Sequence, residues 1–267
     1  MDYEKLDPKL VKKAKEAAAG PLGQEMAKFP LRFAKAVFFG DRPTKGKLQN
    51  VNNGTVVLLN LNGKPIALTC SHVLDSYRQI HGNPNTNFQI GDLELNPLDR
   101  IIDESDSSHL DLVTIDLQGL DLGELKNDQG IGSSFFTPGR WPPENVKRGD
   151  FVAFGGFPGL WRQSISWREI VFDSWSSGAT KVSAVSEHYF VCQFEREFWI
   201  ESINLHGRDG LELHKIGGLS GCPVFIHRSI YWELVGIVYE FSEDFDLMYA
   251  RPTILVREDG TIKETNS

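Results

Sequence analysis

Short β-prone runs recur from Phe33 almost to the C-terminus, and they constrain the fold more than any other feature. Gly, Pro, Asn and Asp residues separate the runs, and few helical windows lie between them. Many short strands with turn signals between them predict antiparallel barrels or a sandwich. The runs are Ala36–Phe39, Thr55–Leu61, Pro65–Thr69, Phe88–Ile90, Leu112–Leu117, Phe151–Phe154, Glu169–Phe172, Lys181–Val185, Tyr189–Phe194, Val224–His227, Leu234–Tyr239 and Met248–Tyr249.

Two segments depart from this β-prone pattern. Asp7-Pro8, followed by spaced apolar residues up to Ala18, predicts a capped amphipathic helix that Gly20-Pro21 ends. A polar stretch rich in Gly and Pro runs from about residue 120 to 149, and it is the best candidate for an interdomain linker.

Composition excludes several classes of protein. The chain has 267 residues, of which 40% are hydrophobic and 24% charged, so it can bury a core without disulfides or a structural metal. Its three cysteines are odd in number and lack C-x-x-C spacing. The N-terminus has no signal-peptide pattern, and no apolar run approaches the length of a membrane span. We therefore expect a cytoplasmic protein without a membrane partner.

The net charge of 28 − 36 = −8 argues against a nucleic-acid partner, because such binding depends on neutralising phosphates. Residues 1–50 nevertheless carry 11 − 6 = +5, which leaves −13 on the rest of the chain. A solvated helix face explains this basic segment, and a docking segment for a regulatory partner is the alternative.

Three segments carry residues suited to catalysis. His72 follows the run Pro65–Thr69, just past a strand end that Asn62-Gly63 joins to the preceding run in a hairpin. Asp111 opens a β-prone run, although Asp103, Asp106 and Asp116 are local competitors. Ser220 lies in the glycine-rich segment Gly217–Val224.

Each segment has an ordinary structural explanation, but together they favour one chemistry. A serine hydroxyl needs a base to remove its proton, and a carboxylate best orients that base. Glycines beside the serine let successive backbone N–H groups form an anion-binding concavity. The order His72, Asp111, Ser220 argues against an α/β-hydrolase, in which the histidine follows the serine, and against the Asp-before-His order of subtilisin.

The sequence resembles the trypsin/chymotrypsin-like serine peptidases, most closely the disulfide-free bacterial branch with the HtrA-type enzymes. The matching segments are Leu68-Thr69-Cys70-Ser71-His72-Val73, Asp111-Leu112-Val113-Thr114-Ile115 and Gly218-Leu219-Ser220-Gly221-Cys222-Pro223-Val224. The resemblance covers roughly residues 33–256. It departs from the family at Cys222, which replaces a glycine, and at Ser71, which replaces the usual alanine.

The resemblance implies an all-β fold of two antiparallel six-stranded barrels with an N-terminal helix. The implied domains are a helical segment 1–32, a first barrel 33–135 carrying His72 and Asp111, and a linker with second barrel 136–267 carrying Ser220.

The resemblance also implies a role for each site residue. Ser220 is the nucleophile, His72 the general base and acid, and Asp111 the residue that orients His72. The backbone N–H groups of Gly218 and Ser220 form the oxyanion hole, and the strand Val238–Phe241, which includes Tyr239 and Glu240, pairs with a peptide substrate. No metal or cofactor is expected.

Substrate preference is less constrained by the sequence. His214 stands where trypsin relatives place the floor of the specificity pocket, and Phe241 and Leu247 fall near its walls. This favours a small or medium apolar side chain, whereas the acidic residues Glu240, Glu243, Asp244 and Asp246 favour basic peptides. Two alternatives to an active serine endopeptidase remain: an inactive binding module with the same fold, and a latent protease that a partner activates through the N-terminal helix.

Overall fold

The computed structural model describes residues 7–42, 44–45, 51–106, 108–125, 135–193, 217–242 and 245–263. Three α-helices are present in these ranges: α1 (Pro8–Ala19), α2 (Pro21–Lys28) and α3 (Ser71–Arg78). The predicted N-terminal helix is confirmed as α1, because the Asp7 side chain accepts a hydrogen bond from Lys9 N and Pro8 occupies the first turn. Gly20 ends α1, but Pro21 then starts α2 at once. Within the described ranges, no helix has both the length and the apolar character needed to cross a membrane.

The first half of the chain forms one antiparallel sheet. Its strands are β1 (Ala34–Asp41), β2 (Val51–Leu61), β3 (Lys64–Thr69), β4 (Thr86–Ile90), β5 (Leu93–Glu94), β6 (Ile101–Ser105) and β7 (Leu112–Asp116). In the described residues the hydrogen-bonded order is β5-β4-β1-β2-β3-β7-β6.

The second half contains a closed barrel and a small hairpin. Its strands are β8 (Phe151–Gly156), β9 (Arg162–Ser164), β10 (Ile170–Phe172), β11 (Trp175–Val185), β12 (Phe190–Gln193), β13 (Pro223–Arg228), β14 (Tyr231–Ser242) and β15 (Leu247–Pro252). The barrel has the order β11-β12-β15-β14-β13-β8, and β9 and β10 pair separately.

Both halves use the same strand order. If the two-residue β5 and the separate β9–β10 hairpin are set aside and the remaining strands of each half are counted from its start, both sheets read 4-1-2-3-6-5. In the second half the fifth and fourth strands, β14 and β13, also pair and close the barrel. The first half differs from the expected barrel because β4 and β6 are not paired with each other in the described residues. The predicted fold class is confirmed: the protein is all-β and chymotrypsin-like, with an N-terminal helical segment.

One of the two apolar cores includes residues from both halves of the protein, and the other lies within the second half. Phe225 of β13 is fully buried among the rings of Phe29, Phe33, Phe136 and Trp232, with ring centroids 4.9–6.5 Å apart. Phe29 comes from the N-terminal segment, Phe33 precedes β1, Phe136 lies in the predicted linker, and Trp232 belongs to the second barrel. The predicted domain boundaries stay a prediction, but this packing shows that the N-terminal segment contacts both halves.

The segment after β15 crosses back to the first half. The Ile262 N–H donates to the Asp103 carboxylate at 2.7 Å, and the Thr114 hydroxyl donates to the Gly260 carbonyl at 2.7 Å. Part of the predicted linker is bound to the rest of the protein. Phe136 forms backbone hydrogen bonds with β2, and the Trp141 indole donates to the Val256 carbonyl. The relative placement of the two halves is therefore fixed by several crossing segments.

Phe225→Ala should lower the free energy of unfolding by about 3 to 5 kcal/mol, because it removes the ring at the centre of the shared core and leaves a cavity. Urea denaturation followed by tryptophan fluorescence measures the change. Ile230→Ala is the matched control, since this side chain is 90% exposed at the β13–β14 turn and its loss should change stability by no more than about 0.5 kcal/mol. Equal losses in both variants would contradict the assigned core.

Candidate active site

His72 is the second residue of α3, which begins two residues after β3 ends. The helix buries Val73, Leu74 and Tyr77 against the first-half core, so its orientation is fixed. The His72 side chain is 39% exposed, and its ring is therefore presented at the surface by a rigid element. The sequence places His72 just past a strand end, as found, but does not predict this helix.

Asp111 binds His72 through both of its carboxylate oxygens. Oδ1 accepts the His72 backbone N–H at 3.0 Å, and Oδ2 lies 2.7 Å from His72 Nδ1. A carboxylate oxygen accepts hydrogen bonds, so Nδ1 carries the proton that faces Asp111 and the neutral ring has its lone pair on Nε2. The backbone of Asp111 has φ = 52°, a left-handed conformation that aspartate tolerates better than most residues. This unusual conformation immediately before β7 directs the buried carboxylate at the imidazole.

The competing aspartates have other partners. Asp103 accepts the Ile262 N–H, Asp106 accepts the Ser108 N–H, and Asp116 accepts the Gln118 N–H. Asp103 therefore holds the C-terminal crossing segment, and the other two stabilise turns. Asp111 is the aspartate that contacts His72.

Ser220 lies in a tight turn that two glycines make possible. Gly218 and Gly221 have φ values of 98° and 91°, which side chains disfavour. A Cβ on Gly221 would lie 1.8 Å from the Thr55 carbonyl oxygen, and one on Gly218 would lie 2.4 Å from Asn53 Nδ2. Only glycine fits at these two positions, because β2 passes directly beneath the turn.

Four successive carbonyl groups of this turn each accept a hydrogen bond. The four hydrogen bonds are as follows: Gly217 O accepts from Gly159 N (2.6 Å), Gly218 O from Thr55 Oγ1 (2.9 Å), Leu219 O from Cys222 N (2.9 Å) and Ser220 O from Thr55 N (2.9 Å). In the described part of the chain, the N–H groups of Gly218 and Ser220 have no acceptor. Because the C=O and N–H of a trans peptide point in opposite directions, fixing the carbonyls also fixes these two donors.

The serine turn and the His72 segment meet at two places in the structure. Gly54 of β2 lies between them, since a Cβ there would be 3.0 Å from Val73 Cγ2 and 3.5 Å from Ser220 O. The Val238 carbonyl oxygen accepts both the Gly221 N–H at 2.7 Å and the Cys70 thiol at 3.3 Å. Residues adjacent to Ser220 and His72 thus share their packing partners. Within the described residues, the Ser220 hydroxyl and the His72 ring are not hydrogen-bonded to each other.

The expected substrate strand lies in β14, but one of its residues has a different role. Val238 uses its N–H to bind Cys222 O at 2.9 Å, and its carbonyl is occupied by Gly221 and Cys70. The Val238 backbone thus anchors the serine turn, and the pairing of Val238–Phe241 with a peptide stays a prediction. Tyr239 forms a bulge, and Glu240 and Phe241 pair with β15. In the described residues β13 pairs with β14 only as far as Ile237, so the edge of Tyr239–Phe241 is open on that side.

Three residues named for the specificity pocket lie outside the described residues: His214, Glu243 and Asp244. Of the others, Glu240 is exposed and Phe241 and Leu247 are half-buried. The Arg251 guanidinium lies 3.8 Å from the centroid of the Tyr239 ring, and burial raises the pKa of the Tyr239 hydroxyl to about 12. Tyr239 is therefore neutral at physiological pH and presents an aromatic face to a cation.

All three cysteines are buried free thiols. Burial raises the pKa of Cys222 to about 12 and raises that of Cys192 as well. The pKa of Cys70 is raised by burial and then by the nearby Asp111 carboxylate. Cys222 fits beside the serine turn because Gly156 lies against its sulfur: a Cβ on Gly156 would be 2.0 Å from Sγ.

Cys70, His72 and Asp111 could in principle hold a metal, since their ligand atoms lie within 4.8 Å of one another. The 2.7 Å separation of His72 Nδ1 and Asp111 Oδ2 is that of a hydrogen bond. Two ligands bound to one tetrahedral Zn²⁺ at bond lengths of about 2.1 Å would stand about 3.4 Å apart. The geometry fits a proton shared between the two groups better than an ion.

No protein-family model and no curated protein matches this chain. Solved structures with a similar arrangement include the active form of the Rv3671c protease from M. tuberculosis, with 15% identity, a TM-score of 0.38, and coverage of 92% of this chain and 82% of that one. The scabies mite inactivated protease paralogue S-I1 has 13% identity and a TM-score of 0.44, and the match covers 86% of this chain and 91% of that one.

The protease of tobacco vein mottling virus has 9% identity and a TM-score of 0.39, and the match covers 81% of this chain and 76% of that one. These similarities are too weak to assign a function, and they do not support the narrower resemblance to HtrA-type enzymes. The chymotrypsin-like fold assignment rests on the repeated strand order.

Sequence reasoning missed the residues that hold the serine turn, chiefly Thr55, Asn53 and Gly159. Asn53 Nδ2 donates to the Phe157 carbonyl at 2.9 Å, and Phe157 N donates to Thr55 Oγ1 at 3.2 Å. No spacing pattern marks these residues. The nearest signal is Gly54-Thr55 at the start of an apolar run, where glycine permits the close approach of another segment.

The native protein should react with an aromatic disulfide reagent at pH 8 at less than about one hundredth of the rate of a small exposed thiol, because its three thiols are buried and their pKa values are raised. In guanidinium chloride the same sample should release three equivalents, which checks the thiol count. Fast labelling of one native thiol would show that a cysteine near the site is activated.

Proposed function

We propose that the protein is a serine endopeptidase that cleaves peptide bonds through an acyl-enzyme on Ser220. The observation that carries the proposal is the pairing of His72 with Asp111 through two hydrogen bonds, beside a serine turn that is hydrogen-bonded to β2 of the same half. A buried carboxylate that holds an imidazole in one tautomer, with Nε2 directed outward, is what activation of a serine requires.

In the proposed reaction, His72 Nε2 takes the proton of the Ser220 hydroxyl while Oγ bonds to the substrate carbonyl carbon. The carbonyl π electrons move to its oxygen, and the N–H groups of Gly218 and Ser220 stabilise the resulting anion. The protonated His72 then gives its proton to the leaving amine as the C–N bond breaks, which leaves an ester on Ser220. A water molecule repeats the sequence and releases the acid. Asp111 holds the imidazolium throughout.

The thiols favour serine over cysteine as the nucleophile. Cys222 is two residues from Ser220, but it is fully buried and its pKa is raised to about 12, so almost none is thiolate at neutral pH. Cys70 is also fully buried and has a raised pKa. Ser220 is half-buried, and its hydroxyl has no hydrogen-bond partner among the described residues.

The open edge of Tyr239–Phe241 supports an extended peptide as the substrate, because such an edge can pair with another strand. The half-buried Phe241 and Leu247 favour a small or medium apolar side chain in the pocket. The exposed Glu240 supports the alternative preference for basic peptides. Cytoplasmic location and the absence of nucleic-acid, membrane and cofactor partners stay predictions from the sequence.

An inactive binding module or a latent protease is the second candidate function, and one observation favours it: the Ser220 hydroxyl is not hydrogen-bonded to His72. Apo forms of active enzymes also show loose contacts of this kind, so the observation does not outweigh the His72–Asp111 pair. For the latent protease, the exposed leucines Leu10 (60%) and Leu22 (73%) of the N-terminal helices offer a contact surface to a regulatory partner.

Ser220→Ala should lower kcat for peptide hydrolysis by about a million-fold and abolish labelling by a fluorophosphonate, because it removes the nucleophile of the triad. Ser166→Ala is the matched control, since this serine is exposed in the β9–β10 turn and its variant should keep wild-type values. Labelling that persists in Ser220→Ala would rule out the assigned nucleophile.

A wild-type protein that binds peptides but neither hydrolyses them nor reacts with the probe would establish the binding module instead. Activity that appears only when cell extract is added would establish the latent protease.

A further inference from the structure

Thr55 connects the first half of the protein to the serine turn. It lies in β2, is completely buried, and uses every polar group that it has. Its hydroxyl donates to Gly218 O at 2.9 Å and accepts from Phe157 N at 3.2 Å, and its own N–H donates to Ser220 O at 2.9 Å. One residue therefore holds the carbonyls on both sides of Leu219.

The Thr55 hydroxyl fixes the central peptide of the turn. The outer peptides, Gly217–Gly218 and Leu219–Ser220, are held by Gly159 N and Cys222 N through their carbonyl oxygens. The peptide between them, Gly218–Leu219, is held by Thr55 alone among the described residues. Because glycine at position 218 adds little steric restraint of its own, rotation of this central peptide would change the torsion angles at Gly218 and Leu219, and with them the angle between the outer peptides that carry the Gly218 and Ser220 N–H groups.

The hydrogen bonds that hold the turn join neutral groups. The residue between Gly218 and Ser220 is Leu219, which is 4% exposed and brings no charge. A threonine hydroxyl suits the position because it donates and accepts at once, and branching at Cβ restricts its rotation. Serine could supply the same two hydrogen bonds, whereas valine has the shape of threonine but can supply neither.

We propose that Thr55 is a positioning residue that aligns the N–H groups of Gly218 and Ser220 with the oxygen of the tetrahedral intermediate. The proposal rests on the function proposed above and extends it to a residue that touches no substrate. The alignment acts on the transition state, so Thr55 determines kcat and the binding of tetrahedral adducts rather than the binding of the ground-state peptide.

The experiment compares Thr55→Val, Thr55→Ser and Thr253→Val with the wild type. Thr253 is the matched control: it is completely buried, and its hydroxyl donates to Leu234 O at 2.6 Å, away from the serine turn. The measurements are kcat and KM for a peptide substrate, the affinity of a peptide boronic acid that forms a tetrahedral adduct on serine, and amide hydrogen exchange at Phe157.

Thr55→Val should lower kcat and boronate affinity by about 10- to 100-fold, somewhat less than the loss of an oxyanion-hole donor itself, while KM changes by less than about twofold. Exchange at Phe157 should accelerate because its acceptor is gone. Thr55→Ser should restore kcat to within about threefold of wild type, and Thr253→Val should leave kcat and boronate affinity unchanged even where it lowers the melting temperature. Thr55→Ala removes the hydroxyl without placing a methyl group against Gly218 O, and it replaces Thr55→Val should that variant not fold.

Wild-type kcat and boronate affinity in a folded Thr55→Val or Thr55→Ala, with faster exchange at Phe157, would overturn the proposal. So would equal losses of kcat in Thr55→Val and Thr253→Val, which would indicate general destabilisation. A wild type that neither hydrolyses peptides nor binds the boronate is a different result: it rejects the proposed function and, with it, the role of Thr55 in that function.

Discussion

The contact of β2 with the serine turn determines how the two halves of this protein form one site. Gly221 packs against the Thr55 carbonyl so closely that no side chain fits, and Thr55 N binds the carbonyl of Ser220. His72 and Asp111 belong to the first half and Ser220 to the second, so their relative positions depend on this contact. Phe29 packs on Phe225 of the second half, and Ile262, which follows the second barrel, is hydrogen-bonded to Asp103 of the first half. These contacts between the halves keep β2 and the turn together.

The same contact explains several sequence features of the site. Gly218 and Gly221 are needed because β2 lies beneath the turn, and Gly156 is needed because Cys222 occupies the space that its side chain would take. Val238 then connects the turn to Cys70, two residues before His72. Cys222 is thus accommodated locally, and its thiol stays buried and protonated.

Much of the fold could be predicted because a strand has a local sequence signal. Apolar runs between turn residues indicate the long strands of both sheets. The missed elements lack such a signal. Residues of β6 are all half-buried and do not alternate, and α3 is only eight residues long, too short for a helical period to stand out. The aspartate partner of His72 was selected by its place before a strand. Thr55 could not have been found, because its partner Gly218 lies 163 residues further along the chain and nothing in the local sequence records that contact.

The central claim is that the Ser220 hydroxyl is the nucleophile and that the N–H groups of Gly218 and Ser220 receive the developing negative charge. A crystal structure of the protein after reaction with a peptide phosphonate tests it most directly. The account predicts a phosphorus atom bonded to Ser220 Oγ, a phosphonyl oxygen about 3 Å from both N–H groups, and the His72 ring beside the adduct. A phosphonate bonded to another residue, or a phosphonyl oxygen that points away from these two N–H groups, would contradict it.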